Sequence, residues 1–225
     1  MQIIAHLIKK LAYLHSKMED LVITGTGFPD VIQTIEDINN EFNKFNFIGF
    51  LDDNASLYNK NIFGFPVLGP LNWLKKNKNV KVFNSIAKDL IVRKKTNDFL
   101  SSIECKFTSL IHPTVNINYS KVEKNVLISK FVYLEPRSVI KEGSMILPLC
   151  TIGHDVIIEK NCFIASGCHF GGFSKIKENC LIGAGSSIHP KITIEKNSKI
   201  GINSSIFKNV ESNSTVLNKP SISIN

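Results

Sequence analysis

The sequence predicts an α/β domain followed by a parallel β-helix of hexapeptide repeats. Three observations carry this reading. From Leu110 to Ile206 every sixth residue is an anchor, and of these seventeen anchors only Asn116 is polar. Residues eighteen apart form matching columns of charge, asparagine and glycine. Before Leu110, short apolar runs alternate with helix patterns, as in a sheet whose strands are joined by helices.

A helix of period 3.6 cannot hold a six-residue phase over that length. A hexapeptide solenoid can, because each six makes one short strand and a corner, three sixes make one triangular coil, and coils stack. Two residues before the anchors the side chain is usually small, as at Ser138, Ser144, Cys150, Cys162, Cys168, Ser174, Cys180, Ser186, Ser198 and Ser204. Residues eighteen apart should then stack about 4.8 Å apart. One corner reads Glu123-Lys124, Lys141-Glu142, Glu159-Lys160, Lys177-Glu178, Glu195-Lys196, so opposite charges alternate along the corner and up the stack. Asn125, Gly143, Asn161, Asn179 and Asn197 come next, residue types that tolerate a left-handed turn. This corner is expected to face solvent. Its ion ladders contribute a few tenths of a kcal/mol per pair, and their main value is register.

The other two corners carry less charge. Ile146, Ile164, Ile182 and Ile200 are followed by Leu147, Ala165, Gly183 and Gly201. These followers are expected to point outward, so that the nearly bare upper positions leave a face where an extended ligand could lie on the backbone. The third corner carries Gly153-His154-Asp155 and, one coil later, Gly171-Gly172-Phe173. Gly172 has no side chain to cover His154, which predicts room there for a reacting group.

In the first half, Leu21-Val22-Ile23 reads as a buried strand and Gly25-Thr26-Gly27-Phe28-Pro29 as a turn. Pro29 suits a first helical position, and the helix should run to about Phe42. Phe47 to Leu51 is the next strand and ends at Asp52-Asp53. A short helix over Asn72 to Asn77, a strand over Lys81 to Ile86 and a helix over Asp89 to Leu100 complete the pattern. Such a domain binds ligands at the C-terminal ends of its strands. A Gly-x-Gly alone is a weak signal. Asp52 strengthens it, because a carboxylate at a strand end can accept hydrogen bonds from ribose or sugar hydroxyls. Ahead of this domain, Ile4, Leu7, Ile8, Leu11 and Leu14 give residues 1–17 an amphipathic helix pattern, suited to docking on the protein or touching a membrane surface.

The 225 residues have room for a solenoid and one small domain. No apolar run reaches eighteen residues, so no transmembrane helix is expected. Five cysteines in a chain this long read as reduced core residues, with Cys150 above Cys168 and Cys162 above Cys180 in register. Nothing marks export, so the expected compartment is the cytoplasm. The net charge of +8 is spread out, with no nucleic-acid-binding motif, and would attract phosphate-rich small molecules.

The coils, the segment Thr151-Ile-Gly-His-Asp155 and the first half together resemble the bacterial sugar acyltransferase family, over roughly Glu19 to Pro220. That family includes the nucleotide-aminosugar N-acetyltransferases and the sialic-acid O-acetyltransferases. The resemblance implies a left-handed β-helix, a homotrimer, and acetyl-CoA in the groove between neighbouring subunits. It implies three regions: an amphipathic extension over 1–17, a Rossmann-like nucleotide-sugar-binding domain over 18–108, and an acetyltransferase β-helix over 109–225. Nucleotide-sugar contacts would fall on Thr26, Gly27, Phe28, Asp52, Asp53 and Ala87. Acetyl-CoA contacts would fall on Phe163, Ala184 and Ile202, beside Gly183 and Gly201. The chain departs from the family at several points. Its glycine loop is one residue short, Pro29 replaces the last glycine, Phe163 replaces a polar residue, and Asn218 replaces a glycine in the closing Val216-Leu-Asn-Lys-Pro220.

Acetyl transfer to an amine or a hydroxyl needs a base to take the nucleophile's proton. Histidine, with a reference pKa of about 6.5, is the natural choice. His154 stands on a corner, and the adjacent Asp155 can hold its ring and favour the protonated form. In the resembled family this histidine is the proton acceptor. His169 could line the same groove, while His189, before Pro190, reads as structural. His112 opens the solenoid in Ser109-Leu-Ile-His-Pro113 and reads as a joint. A zinc hydratase would need imidazoles that converge on one ion, and spacings of fifteen and twenty do not stack these three, so no metal is expected. The expected function is acetyl-CoA-dependent N-acetylation of a nucleotide-linked amino-deoxysugar for surface polysaccharide or glycan synthesis. The alternatives are O-acetylation of a sugar such as sialic acid and a non-catalytic sugar-nucleotide-binding trimer.

Overall fold

The computed structural model describes residues 17–87 and 89–218. The amphipathic pattern of the first sixteen residues and Pro220 of the closing segment lie outside the described residues. The chain divides into two compact units, Met1–Pro113 and Thr114–Asn225.

The first unit is an α/β layer built on strands β1 (Glu19–Thr24), β2 (Phe45–Leu51), β3 (Asn61–Ile62), β4 (Phe65–Gly69), β5 (Lys81–Asn84) and β6 (Lys106–Phe107). Their order is β3-β4-β2-β1-β5-β6. Every neighbouring pair is parallel except β3 with β4, an antiparallel edge pair that the alternating pattern did not anticipate. Helix α1 (Asp30–Phe42) buries Val31, Ile32, Ile35 and Ile38, one stripe of a 3.6-residue period. It ends at Asn43, a left-handed cap whose N–H donates to the Asn39 carbonyl. Helix α2 (Leu90–Ser102) starts where Asp89 accepts from the Ile91 and Val92 amides. The helix expected over Asn72 to Asn77 is a 3₁₀ segment, Leu71–Lys75. So short a piece does not outweigh the cost of nucleating an α-helix. Val22, Leu51, Leu74, Val80, Val82 and Leu100 form a core cluster in this unit.

The second unit is a parallel β-helix of two-residue strands. Successive coils pair in parallel eighteen residues apart, as Ile140 with Ile158, Ile146 with Ile164, and Ile152 with Phe170, and the spacing shortens to sixteen only at the end, where Lys199 meets Thr215. The stacked anchors are fully buried at Ile140, Ile158, Ile164, Ile176 and Ile182. The small residues before them do more than save space. Ser144 and Cys162 donate to the carbonyls of Glu159 and Lys177, fifteen residues on in the next coil, and Cys168 and Ser186 repeat this with Gly183 and Gly201. Asn161, Asn179, Asn197 and Asn213 form an amide ladder at 2.9–3.1 Å. On the charged corner Lys141 meets Glu159 at 2.6 Å, and Lys124 meets Glu142 at 3.4 Å.

The left-handed turn was expected at the asparagine and glycine corner. It recurs at all three corners, at every sixth residue from Asn125 to Asn203, including Phe131, Arg137, Leu149, Asp155, Phe173 and Lys191. All of these but Asp155 are types that disfavour this conformation, so the coil geometry overrides their local preference.

Candidate functional site

Strand Thr151–Ile152 and the turn that follows it present His154, half-exposed at 44%. Three contacts set its ring and backbone. Nδ1 stands 2.9 Å from Asp155 Oδ2. The backbone N–H donates to Glu135 Oε2 at 2.8 Å. The ring meets Phe173 edge-on, with centroids 4.9 Å apart. Asp155 is in turn gripped from the preceding coil: Arg137 Nε and Nη2 donate to its Oδ1 and Oδ2, each at 2.7 Å. These two bonds, and then the one from His154, hold the Asp155 carboxyl well below the usual carboxylate range. The ionised Asp155 can only accept, so Nδ1 is the donor, and in the neutral imidazole Nε2 then carries the lone pair.

Gly172 does face His154, but the space it leaves is taken by the imidazole itself. A Cβ at Gly172 would fall 2.6 Å from Nε2. The expected vacant room for a reacting group is thus corrected: glycine lets the ring lie against the next coil. Arg137 and Glu135 were not singled out from the sequence. The signal existed, since Arg137 stands eighteen residues before Asp155.

Phe163, Gly183, Ala184, Gly201 and Ile202 all lie on one other sheet and its following corner, with strands Phe163–Ile164, Leu181–Ile182 and Lys199–Ile200 in register. The structure thus brings these five together, on a different sheet from the His154 strand. Ile202 is 66% exposed, while Phe163, Ala184 and Gly201 are partly buried. Gly183 is a correction. It is buried, and a Cβ there would meet Ile202 N at 2.6 Å and Gly201 C at 2.7 Å. Its N–H donates to Ile200 O and its carbonyl accepts from Cys168 Sγ. Gly183 is glycine because two coils meet there, and it offers no bare outward face.

In the first unit a crevice of about 320 Å³ opens where β1, β2 and β5 end, at the reversal of strand order. Thr26, Gly27, Asp52, Asp53 and Ala87 line it, with Ser85 and Thr96 among the residues the sequence did not mark. Phe28 is not part of the lining. Asp52 accepts from Thr26 Oγ1 at 3.2 Å and from the Asn54 amide at 2.9 Å. Asp53 accepts from the Leu71 amide at 2.9 Å. Gly25 has φ +83°, and a Cβ there would press on Ile86 at 2.9 Å, so glycine is needed at that turn. Gly27 has open space around it.

His169 is exposed on the strand between Thr151 and Ser187. His189 packs its ring near Phe207, with centroids 5.8 Å apart. His112 is buried and meets Asp37 at 3.0 Å. Among the described residues no group of three or more His, Cys, Asp or Glu is placed to hold a metal ion. No helix among them is long and apolar enough to cross a membrane.

The family model for bacterial transferase hexapeptide (six repeats) matches residues 137–172, the segment from Arg137 through His154 to Gly172. The match covers part of the second unit, the coils that carry His154. No curated protein matches the chain by sequence. Several solved structures match by fold. The acetyltransferase domain of PglB from Neisseria gonorrhoeae FA1090 aligns with a TM-score of 0.80 at 21% identity, covering 92% of this chain and all of that one, and is also solved with acetyl coenzyme A. A mutant of perosamine N-acetyltransferase from Caulobacter crescentus, in complex with CoA and GDP-perosamine, aligns at 0.79 and 19%, covering 90% and 95%. WeeI from Acinetobacter baumannii AYE aligns at 0.77 and 19%, covering 91% and 98%. At these identities the likeness establishes a shared fold.

Proposed function

We propose that this protein is an acetyl-CoA-dependent N-acetyltransferase acting on a nucleotide-linked amino sugar, for surface polysaccharide or glycan synthesis. The observation that carries the reading is the oriented imidazole: Nδ1 is tied to Asp155, leaving Nε2 to accept a proton. The sugar amine attacks the thioester carbonyl, a C–N bond forms, and Nε2 takes the proton that the nitrogen loses. Collapse of the tetrahedral intermediate breaks the C–S bond, and the proton on the imidazolium can pass to the departing thiolate. Asp155 stabilises the transient imidazolium.

In this reading the solenoid is the left-handed β-helix of the sugar acyltransferases and the first unit is a Rossmann-like nucleotide-sugar domain. The crevice at Asp52 and Asp53 takes the nucleotide portion. The Phe163, Ala184, Gly201 and Ile202 column takes acetyl-CoA. Because this column lies on a different sheet from His154, the site is completed by a second subunit of a homotrimer. Exposed Phe131, Tyr133 and Leu149, about 60% accessible each, supply apolar surface for that contact. The fold shared with structures that hold acetyl coenzyme A, CoA or GDP-perosamine supports the choice of ligands.

The test is a panel of nucleotide-linked sugars, bearing either an amine or only hydroxyls at the acceptor position. Each is assayed with acetyl-CoA for thiol release and product mass. Acetylated amide product from an amino sugar is expected. Thiol release only with hydroxyl acceptors would replace N- by O-acetylation, and no transfer to any acceptor would sink the reading.

A further inference from the structure

His154 and Asp155 do not stand alone. Asp155 sits at a left-handed corner, φ +57°, and so does Arg137 one coil earlier, φ +64°. Arg137 donates its backbone N–H to Tyr119 O at 2.7 Å. From that anchored position its guanidinium reaches both oxygens of Asp155 in a planar fork, while His154 Nδ1 shares Oδ2. A carboxylate held by two parallel bonds cannot rotate about its own terminal torsion without breaking one of them.

We propose that Arg137 is a positioning residue for His154: by clamping Asp155 it fixes the ring's tautomer and orientation and sets the pH at which the imidazole acts as a base. The proposal rests on the reading of His154 as the general base. An exposed ion pair alone adds little stability, so a structural role would leave the chemistry untouched. Arg137 is 69% exposed, and its guanidinium donates twice to Asp155. Its guanidinium takes Oδ1 and shares Oδ2 with His154 Nδ1, so the carboxylate does not serve the imidazole alone. The other charged groups around the pair are Glu135, from the preceding coil, and Lys175 and Lys191, which share a groove with Asp155 and Phe173 on the following coils. Among these groups, only Arg137 forms an ion pair with Asp155.

The test compares wild type with Arg137→Gln and Arg137→Lys in two measurements. The first is kcat and kcat/KM for acetyl transfer as a function of pH. The second is the NMR titration of the His154 ring in labelled protein, which needs no turnover. Arg137→Gln is expected to lower kcat by about tenfold through loss of ring alignment. It should also move the acid limb of kcat/KM, and the His154 ring titration, upward by about half a unit to one unit. Lysine restores the charge but not the fork, so Arg137→Lys should return the limb towards wild type and leave kcat low. The KM for acetyl-CoA should stay unchanged in both variants. If the ring titration and the acid limb in Arg137→Gln coincide with wild type, the proposal is overturned. If the ring titration moves but His154→Ala keeps its turnover, then Arg137 holds the pair as described and the base reading is what fails.

Discussion

His154 occupies the space that a side chain at Gly172 would fill, with Nε2 2.6 Å from the position of the absent Cβ. The base and the glycine one coil later are therefore a single steric unit. Gly172→Ala is expected to push the ring off its bond to Asp155 while the backbone, whose φ at that position is not left-handed, stays folded. The expected loss in kcat is about tenfold to a hundredfold, the scale of a misplacement near 1 Å. A circular-dichroism melt close to wild type, together with that loss, checks it. Unchanged kcat would show that the imidazole works from a different rotamer.

Replacing the base itself should cost more. His154→Ala is expected to lower kcat by about 10²–10⁴-fold, the range for a lost general base. Acetyl-CoA affinity, read by calorimetry, should hold, because the proposed cofactor column lies on another sheet. Asp155→Asn should cost less, since the ring keeps a hydrogen-bonding neighbour and loses a charge. Turnover within a few-fold of wild type in His154→Ala would move the search to His169.

The crevice of the first unit makes a separate expectation. Asp52 lies in its lining and accepts from Thr26 and Asn54. Asp52→Ala should weaken nucleotide-sugar binding by about 1.5–3 kcal/mol, the scale of a hydrogen bond to a charged group. Acetyl-CoA binding should barely change. Calorimetry that gave the reverse pattern would exchange the two ligand assignments.

Asp155 also links stability to pH. Arg137, then His154, depress its folded pKa below the unfolded value of about 3.9. A depressed carboxylate contributes stability that is present above the unfolded value and is lost as pH falls through the folded one. The gap in unfolding free energy between wild type and Asp155→Asn should therefore be flat above about pH 5 and narrow as the solution is acidified below about 3.9. Urea unfolding at a series of pH values measures it. A gap that widened on acidification would contradict the ionised Asp155.

The corners that carry Phe131 and Leu149 are exposed, apolar and left-handed at once, an arrangement unfavourable for a monomer. Sedimentation should find a trimer at micromolar concentration. Phe131→Asp should shift it towards monomer and reduce activity with it, since the proposed site spans two subunits. A wild-type monomer with full activity would remove the intersubunit site.

How much of this was legible in the sequence follows from the range of each signal. The solenoid was, because its information repeats at six and eighteen residues: Ile146 and Ile164 pair in the register that their spacing required. The crevice was, because strand ends and turns are local, and Asp52 falls at the end of β2 where the apolar run stops. His154 with Asp155 was, as neighbours in the chain. The structure alone decided what depends on side-chain direction across coils. The vector from Gly183 runs into Gly201 of the next coil and not to solvent, and the His154 ring closes over Gly172. Arg137 reaches Asp155 because both corners adopt the left-handed turn, which nothing local to an arginine or an aspartate requires. Residue spacing determines which residues stack, whereas the backbone conformation at each corner determines which way they point, and that conformation is imposed by the coil as a whole.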